Sequence, residues 1–396
     1  MSGSLSARVA RSATDATVVI IGGGIMGTST AYQLARAGVQ DVVLLEATEL
    51  ASGSSGKPLG GVRAQFSEPA NIELGLRSLS AFRRFNDDFG VDIGMQQVGY
   101  LFLIRNHDDV GRYRMSIDLQ NALGVQSRLI SPAKAAELSP YVDPSKIVAA
   151  AWSPTDGFAR PGTVVTTYAA AAASLGAQIN TQSPVQRIDR LAGGRAAVHT
   201  KGGRVFVTPT LICTAGAWSK QLGAMIGVDL PIEPLRRQIV FTAPLRPRPP
   251  RVPFTIDFST TTYFHGNDDG TGLLIGMADQ TQAVSFDRTV TTDWHADLRK
   301  ALESFAPSLR DVELTHGWAG LYEMTPDCNA LIGEKDADGL RFIYAAGFSG
   351  HGFLQGPAVG EVVRDLYLGD TPVVDVGCFD VNRFAYNATR TELNII

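Results

Sequence analysis

Three consecutive glycines follow an apolar run in VVIIGGGIMGTSTAYQLARAGVQDVVLLE, which begins at Val18 and closes at Glu46. Val18 to Ile21 are all β-branched and read as a buried strand. Gly22, Gly24 and Gly27 then give G-x-G-x-x-G. Ile25 to Ala37 reads as a helix stopped by Gly38, and Asp41 to Leu45 as a second buried strand with Glu46 at its end. The first glycine permits a tight turn, the second lets backbone approach a pyrophosphate, and the third lets helix and strand pack closely. The helix N-terminus, with Ile25 and Met26 in its first turn, is expected to hold the negative charge. Glu46, followed by Ala47, is placed to accept from both ribose hydroxyls. An acid at that point argues against a 2′-phosphate and leaves FAD or NAD. A glycine-rich turn in an ordinary βαβ unit is the bland alternative, and the full order of strand, glycines, helix, strand and acid weighs against it.

At 396 residues the chain is long for one core, so two domains or an interleaved pair are expected. Apolar residues make up 44% and charged residues 19%, as in ordinary soluble globular proteins. The net charge of −4, with no basic run, makes nucleic acid and anionic membrane poor partners. Cys213, Cys328 and Cys378 are scattered, form no metal spacing or disulfide framework, and suit a reducing compartment. No apolar stretch approaches the length of a membrane span. The start, MSGSLSARVARSATDAT, lacks the apolar core of a secretory signal. Residues 1–16 are therefore expected as a disordered tail, and the cytoplasm as the compartment.

The stretch after the acid separates FAD from NAD. ASGSSGKPLGGVRAQFS, Ala51 to Ser67, is small, polar and glycine-rich, and it brings Ser54, Ser55, Gly56, Gly60 and Gly61 close to the first loop. A second such loop suits a cofactor with more to wrap. Pro69 to Phe89 then returns to helix, with Ile72, Leu76, Leu79, Phe82 and Phe89 near one face. Three later motifs complete the pattern: TLICTAGAWS from Thr210, GWAGLYEMTPDCNALIG from Gly317, and YAAGFSGHGFLQGPAVGEVVRDL from Tyr344. In the last, Phe342 to Ala346 reads as a strand, Gly347, Gly350 and Gly352 allow a tight loop with free N–H groups, and Phe353 to Leu366 reads as a helix with Pro357 in about its first turn. On these motifs the sequence resembles the FAD-dependent D-amino-acid-oxidase superfamily, in its branch of glycine oxidase, sarcosine oxidase, proline dehydrogenase and dimethylglycine dehydrogenase. The resemblance runs from Val18 to about Leu368.

The resemblance implies an α/β fold: a Rossmann-type FAD-binding domain interleaved with an antiparallel-sheet substrate domain. The FAD-binding domain is expected over 17–90, 150–225 and 326–370, the substrate domain over 91–149 and 226–325, and a C-terminal extension over 371–396. Strands are expected at Tyr100 to Ile104, Arg237 to Thr242, Thr260 to Phe264, Gly272 to Gly276 and Pro184 to Arg190, and a helix at Thr163 to Leu175. APLRPRPPRVP, from Ala243, reads as an exposed loop. The resemblance further implies Ala215, Gly216 and Trp218 beside the pyrophosphate, and Val185 at the adenine. Gly320 is expected beside the flavin ring. Gly347, Gly350, His351, Gly352, Phe353 and Leu354 are expected in the flavin loop. Tyr322, Tyr263, His351 and Arg63 are the expected catalytic residues on the substrate side.

Departures from the family pattern narrow the expectation. Gly320 stands where monomeric sarcosine oxidases tether the flavin through a cysteine, which implies non-covalent FAD. Leu354 and Phe66 stand where relatives hold the substrate carboxylate, and Leu274 where an oxygen-activating lysine falls. The implied function is oxidation of the C–N bond of a secondary amine or amino acid, sarcosine-, glycine- or proline-like, to an imine by hydride transfer to flavin N5, with a dehydrogenase favoured over an oxidase. Oxygen, a quinone or a partner flavoprotein would take the electrons. The GLYEMTPD and GHGF pattern looks closer to β subunits of proline dehydrogenase and heterotetrameric sarcosine oxidase, which raises a partner subunit. Two other readings stay open: a 2-hydroxy-acid dehydrogenase with His351 as base, and a non-catalytic flavin-bearing assembly factor.

Overall fold

The computed structural model describes residues 13–279 and 281–394. A six-stranded sheet is ordered Leu331–Ala337, Leu340–Ala346, Thr210–Cys213, Val18–Ile21, Val42–Leu45 and Gln178–Asn180. Its last five strands run parallel, and Leu331–Ala337 is an antiparallel edge. Val18–Ile21 and Val42–Leu45 are buried along their whole length, because helices cover one face and a second sheet the other. The helices are Ile25–Arg36, Pro161–Ser174 and Gly352–Leu368. The covering sheet is ordered Ala13–Asp15, Val205–Thr208, Arg195–Thr200 and Val185–Leu191.

The third large sheet has eight strands: Leu314–Met324, Glu233–Thr242, Leu273–Met277, Thr262–Gly266, Phe254–Asp257, Tyr100–Ile104, Ala149–Ser153 and Arg128–Ile130. It is antiparallel except where Phe254–Asp257 runs parallel to Tyr100–Ile104. The helix His295–Phe305 packs against one face through Leu298, Leu302 and Phe305. Among the described residues no helix is long and apolar enough to cross a membrane, and no cluster of His, Cys, Asp or Glu could hold a metal.

Several expectations shift. Ala13–Asp15 pairs with Val205–Val207 and is not a disordered tail; residues 1–12 lie outside the described residues. Ala149–Ser153 joins the eight-stranded sheet, so a domain boundary at 150 falls inside a strand. The expected helix from Pro69 to Phe89 is two helices, Pro69–Arg83 and Phe85–Phe89, parted at Arg84. Pro357 is the sixth residue of Gly352–Leu368 and lies beyond the first turn, so the helix gives up one main-chain donor there. The sharp Thr260 turn, with Thr261 at φ 56°, delays its strand to Thr262.

Beyond residue 370 the chain returns to the body. Arg383 grips Asp327, in the T-P-D turn, with two bonds of 2.8 and 2.9 Å, and also donates to the carbonyls of Phe379 and Asn329. Further on, Glu392 accepts from the amides of Ser67 and Glu68 at the start of the Pro69–Arg83 helix, from the Ser67 hydroxyl and from Asn71. The residues leading into that helix thus find their acceptor more than three hundred residues away in sequence.

Candidate active site

A cavity of about 580 Å³ opens at the carboxyl ends of the parallel strands and is closed on its far side by one face of the eight-stranded sheet. At one end lies the glycine turn. Gly22 has φ 119°, and a Cβ there would sit 2.3 Å from the Thr214 carbonyl oxygen. A Cβ on Gly27 would lie 1.9 Å from the Gly22 carbonyl oxygen, so helix and strand meet at a distance only glycine allows. Glu46 follows its strand as expected. One carboxylate oxygen accepts from the Gly23 amide at 2.7 Å, and the other accepts from the Thr48 amide at 2.9 Å. The Ser55 hydroxyl accepts from the Ile25 amide at 2.9 Å, which covers the first free donor of the helix. The buried Ser54 hydroxyl has no partner.

Of the residues expected at this end, Gly22, Gly24, Ile25 and Met26 line the cavity. So do Glu46, Ala47, Ser54, Ser55 and Gly61, and on the opposite wall Val185, Ala215, Gly216 and Trp218. Gly27, Gly56 and Gly60 do not: Gly27 packs against Gly22, Gly56 against the Ala51 carbonyl, and Gly60 against the Ala159 carbonyl. Their role is to set backbone shape behind the wall. Glu46→Ala is expected to weaken FAD binding by about 2–3 kcal/mol, since it strips charge-assisted hydrogen bonds. Flavin content retained through exhaustive dialysis, equal to wild type, would contradict this.

The other end is the loop that opens Gly352–Leu368. Gly350, His351, Gly352, Phe353 and Leu354 line the cavity, but Gly347 does not. The loop's amides are also less free than expected. The Gly347 amide donates to the Glu323 carboxylate at 3.2 Å, and the Ser349 amide to the Glu323 carbonyl at 3.1 Å. Burial pushes the Glu323 carboxyl up to about 7. His351 is 2% exposed and neither ring nitrogen has a partner. Burial, helped by the Arg63 charge, drives its pKa down to about 3, so the imidazole is neutral at physiological pH.

Arg63 is also buried. It donates to the carbonyls of Gln65 and Asn394, and its guanidinium stands 4.1 Å from the centre of the Phe66 ring. Desolvation lowers its pKa. Arg63 lines the cavity, and Asn394, a residue no motif singled out, forms part of the same wall.

The sheet face supplies Tyr263, which is buried, and Tyr322, which is half-buried; desolvation raises the pKa of both. Tyr322 packs on the flavin loop, where a Cβ at Gly350 would lie 2.3 Å from its ring. Gly320 lines the cavity and Lys57 crosses over it, with 2.6 Å between the Lys57 Cβ and a Cβ built at Gly320. Leu274 does not reach the cavity but packs beneath it with Ile239, Ile256 and Tyr263. Sequence reasoning missed Lys57, Tyr100, Arg237, Arg288, Glu323 and Asn394, which all line the cavity.

These residues fit FAD. The glycine turn and helix N-terminus suit a pyrophosphate, Glu46 a ribose, and the unpartnered Ser54 and His351 atoms are buried polar groups that a bound molecule would satisfy. A dinucleotide fold with a second glycine loop and a closing helix at the far end of one cavity defines an FAD-binding flavoprotein. The chain belongs to the FAD-dependent oxidoreductase family, whose model, "FAD dependent oxidoreductase", matches residues 17–366. It is 27% identical over 389 residues to mitochondrial dimethylglycine dehydrogenase of Mus musculus, covering 93% of this chain and 44% of that protein. It is 28% identical over 396 residues to mitochondrial sarcosine dehydrogenase of Homo sapiens, covering 94% of this chain and 42% of that protein. The chain thus spans less than half the length of these curated relatives. Among solved structures, L-proline dehydrogenase from P. horikoshii superposes with a TM-score of 0.87 at 32% identity, covering 96% of this chain and 100% of that one.

Proposed function

We propose that this chain oxidises the C–N bond of a secondary amine or amino acid, sarcosine-, glycine- or proline-like, to an imine. The observation that carries the reading is the state of the groups around the flavin loop. His351 is neutral, the phenols of Tyr263 and Tyr322 stay protonated, and the Glu323 carboxylate is engaged by the Gly347 amide, so none of these groups stands free as a base. Oxidation of a neutral amine needs none: the nitrogen lone pair becomes the second C–N bond as hydride leaves carbon. FAD supplies the acceptor for that hydride. Desolvation by the aromatic wall favours the unprotonated amine, the form that reacts. Dimethylglycine, sarcosine and L-proline dehydrogenases among the relatives support the reading.

The test is anaerobic mixing with sarcosine, glycine, L- and D-proline, with 2-hydroxyglutarate as the oxygen-bearing control. Flavin bleaching by an amine is the expected result. Bleaching by the hydroxy acid alone would assign the site to C–O chemistry, and His351 would then be its base.

FAD is held non-covalently in this reading, because Gly320 offers no thiol and no cysteine lines the cavity among the described residues. Acid precipitation should leave the flavin in the supernatant; fluorescence that stays with the denatured band on a gel would refute it. The chain acts as a dehydrogenase, with a quinone or partner flavoprotein as acceptor, a reading supported by its likeness to dimethylglycine, sarcosine and L-proline dehydrogenases. Reoxidation by air should be much slower than reduction by substrate. Stopped-flow mixing of reduced protein with oxygen decides it: equal rates would make this an oxidase, with Lys57 as the cation at hand.

A further inference from the structure

We propose that Arg288, carried on a loop of the eight-stranded sheet, is a ligand for the pyrophosphate of FAD. The dinucleotide is then clasped between the two large sheets and not by the glycine turn and its helix alone.

Residues 281–292 lie between the strand Leu273–Met277 and the helix His295–Phe305 and contain no helix or strand of their own. The loop is nevertheless pinned along Glu233–Thr242. Arg236 donates to Gln282 at 3.1 Å, to the Thr289 carbonyl at 2.8 Å and to the Asp287 carboxylate at 3.3 Å. The Ser285 amide donates to the Pro234 carbonyl at 3.0 Å, and Gln238 is bonded to Thr291 through both of its amide atoms.

The tip of the loop reaches the nucleotide end of the cavity. Phe286 stacks on Trp218, with ring centres 5.5 Å apart. The Arg288 guanidinium carbon lies 5.9 Å from the centre of the same ring, and the side chain donates to the Ser52 carbonyl at 3.3 Å. Ser52 belongs to the second glycine loop and Trp218 to the opposite wall. Arg288 therefore spans the mouth from one wall to the other, and it lines the cavity there.

Charge decides what it spans the mouth for. Among the described residues the cations that line the cavity are Lys57, Arg63, Arg237 and Arg288. The first three stand at the flavin end: Lys57 over Gly320, Arg237 opposite Gly320 in the sheet, and Arg63 near His351. The nucleotide end holds Arg288 and the carboxylate of Glu46, and the Ser54 hydroxyl there has no partner. A pyrophosphate adds further negative charge beside that carboxylate. The helix N-terminus offers it about half a positive charge, and the Ile25 amide is already donated to Ser55. A full cation within reach is what that end otherwise lacks. An arginine fork meets phosphate oxygens in paired bonds. Arg288 is exposed and makes one long bond, so turning its fork on to phosphate costs little.

The experiment uses the FAD-loaded protein, diluted into flavin-free buffer, with released flavin collected by ultrafiltration over time. Arg288→Ala should lose FAD roughly 10-fold faster than wild type at low salt, the scale of a hydrogen bond to a charged group. Arg288→Lys should stay close to wild type, because a point charge also binds phosphate. Salt should speed release from the wild type and change Arg288→Ala much less. Arg251→Ala removes the same charge from an exposed residue that does not line the cavity, and should match wild type. Arg236→Ala frees the loop, and its effect should vanish where Arg288 is already alanine, since it acts through Arg288. Release from Arg288→Ala at the wild-type rate overturns the proposal. Fast release from Arg288→Ala with the salt dependence intact, or equally fast release from Arg288→Lys, makes the loop a steric cover and overturns it too. The readout involves no substrate, so either result stands whatever bond the site oxidises.

Discussion

Arg383→Ala should destabilise the fold by about 3–5 kcal/mol, the range for breaking a buried ion pair by removing one partner. Both side chains are 4% exposed. Arginine meets both oxygens of Asp327 and three main-chain carbonyls besides. Alanine would leave a desolvated carboxylate without its cation and the Phe379 carbonyl without a donor. The Asp327 turn sits between the strand that carries Tyr322 and the edge strand Leu331–Ala337, so the loss falls on the joint between the two large sheets. Arg383→Lys should recover part of the loss but not the fork. Chemical denaturation of the two variants beside wild type measures it, and an Arg383→Ala protein within about 1 kcal/mol of wild type would show the pair to be ornamental.

Gly27→Ala should cost about 3 kcal/mol or more and should strip the protein of FAD. Overpacking by a single carbon is usually cheaper because a side chain can give way. Here the obstacle is main chain: the new Cβ would lie 1.9 Å from the Gly22 carbonyl oxygen and 2.8 Å from Thr214 Oγ1. Relief requires the Ile25–Arg36 helix to back away from its strand, and that movement withdraws the amides meant for the pyrophosphate. Gly162→Ala is the control, because a Cβ there meets nothing within 4 Å and the glycine has no positive φ. It should stay within about 0.5 kcal/mol of wild type. The ratio of flavin to protein absorbance after gel filtration reports the outcome, and a yellow Gly27→Ala protein of normal stability would refute the account.

The nucleotide half of the site was legible because its chemistry is local. A turn, a helix start and an acid must follow one another within one βαβ unit, so Val18 to Glu46 could be read residue by residue. The substrate half was not. Arg236 and Arg237 are identical to a sequence reader, and only the pairing of Arg237 with Gly320 decides which one faces the cavity. Register across strands far apart in sequence leaves no mark in either strand alone. Asn394 was hidden for a similar reason, since nothing in TELNII announces that Glu392 will anchor it. The break at Arg84 leaves no mark in the sequence, since Arg84 breaks no rule of composition.

The segment Glu392–Asn394 lies outside the span 17–366 that the family model matches, yet it hands a carbonyl to Arg63 inside the cavity. Its anchor, Glu392, is also the acceptor for the Ser67 and Glu68 amides that lead into the Pro69–Arg83 helix. One carboxylate therefore ties the shape of the pocket to a stretch of chain beyond the span that carries every cofactor motif. Two members of the family that align throughout their shared span can still differ in the space beside Arg63, and substrate range cannot be transferred between them on the shared span alone.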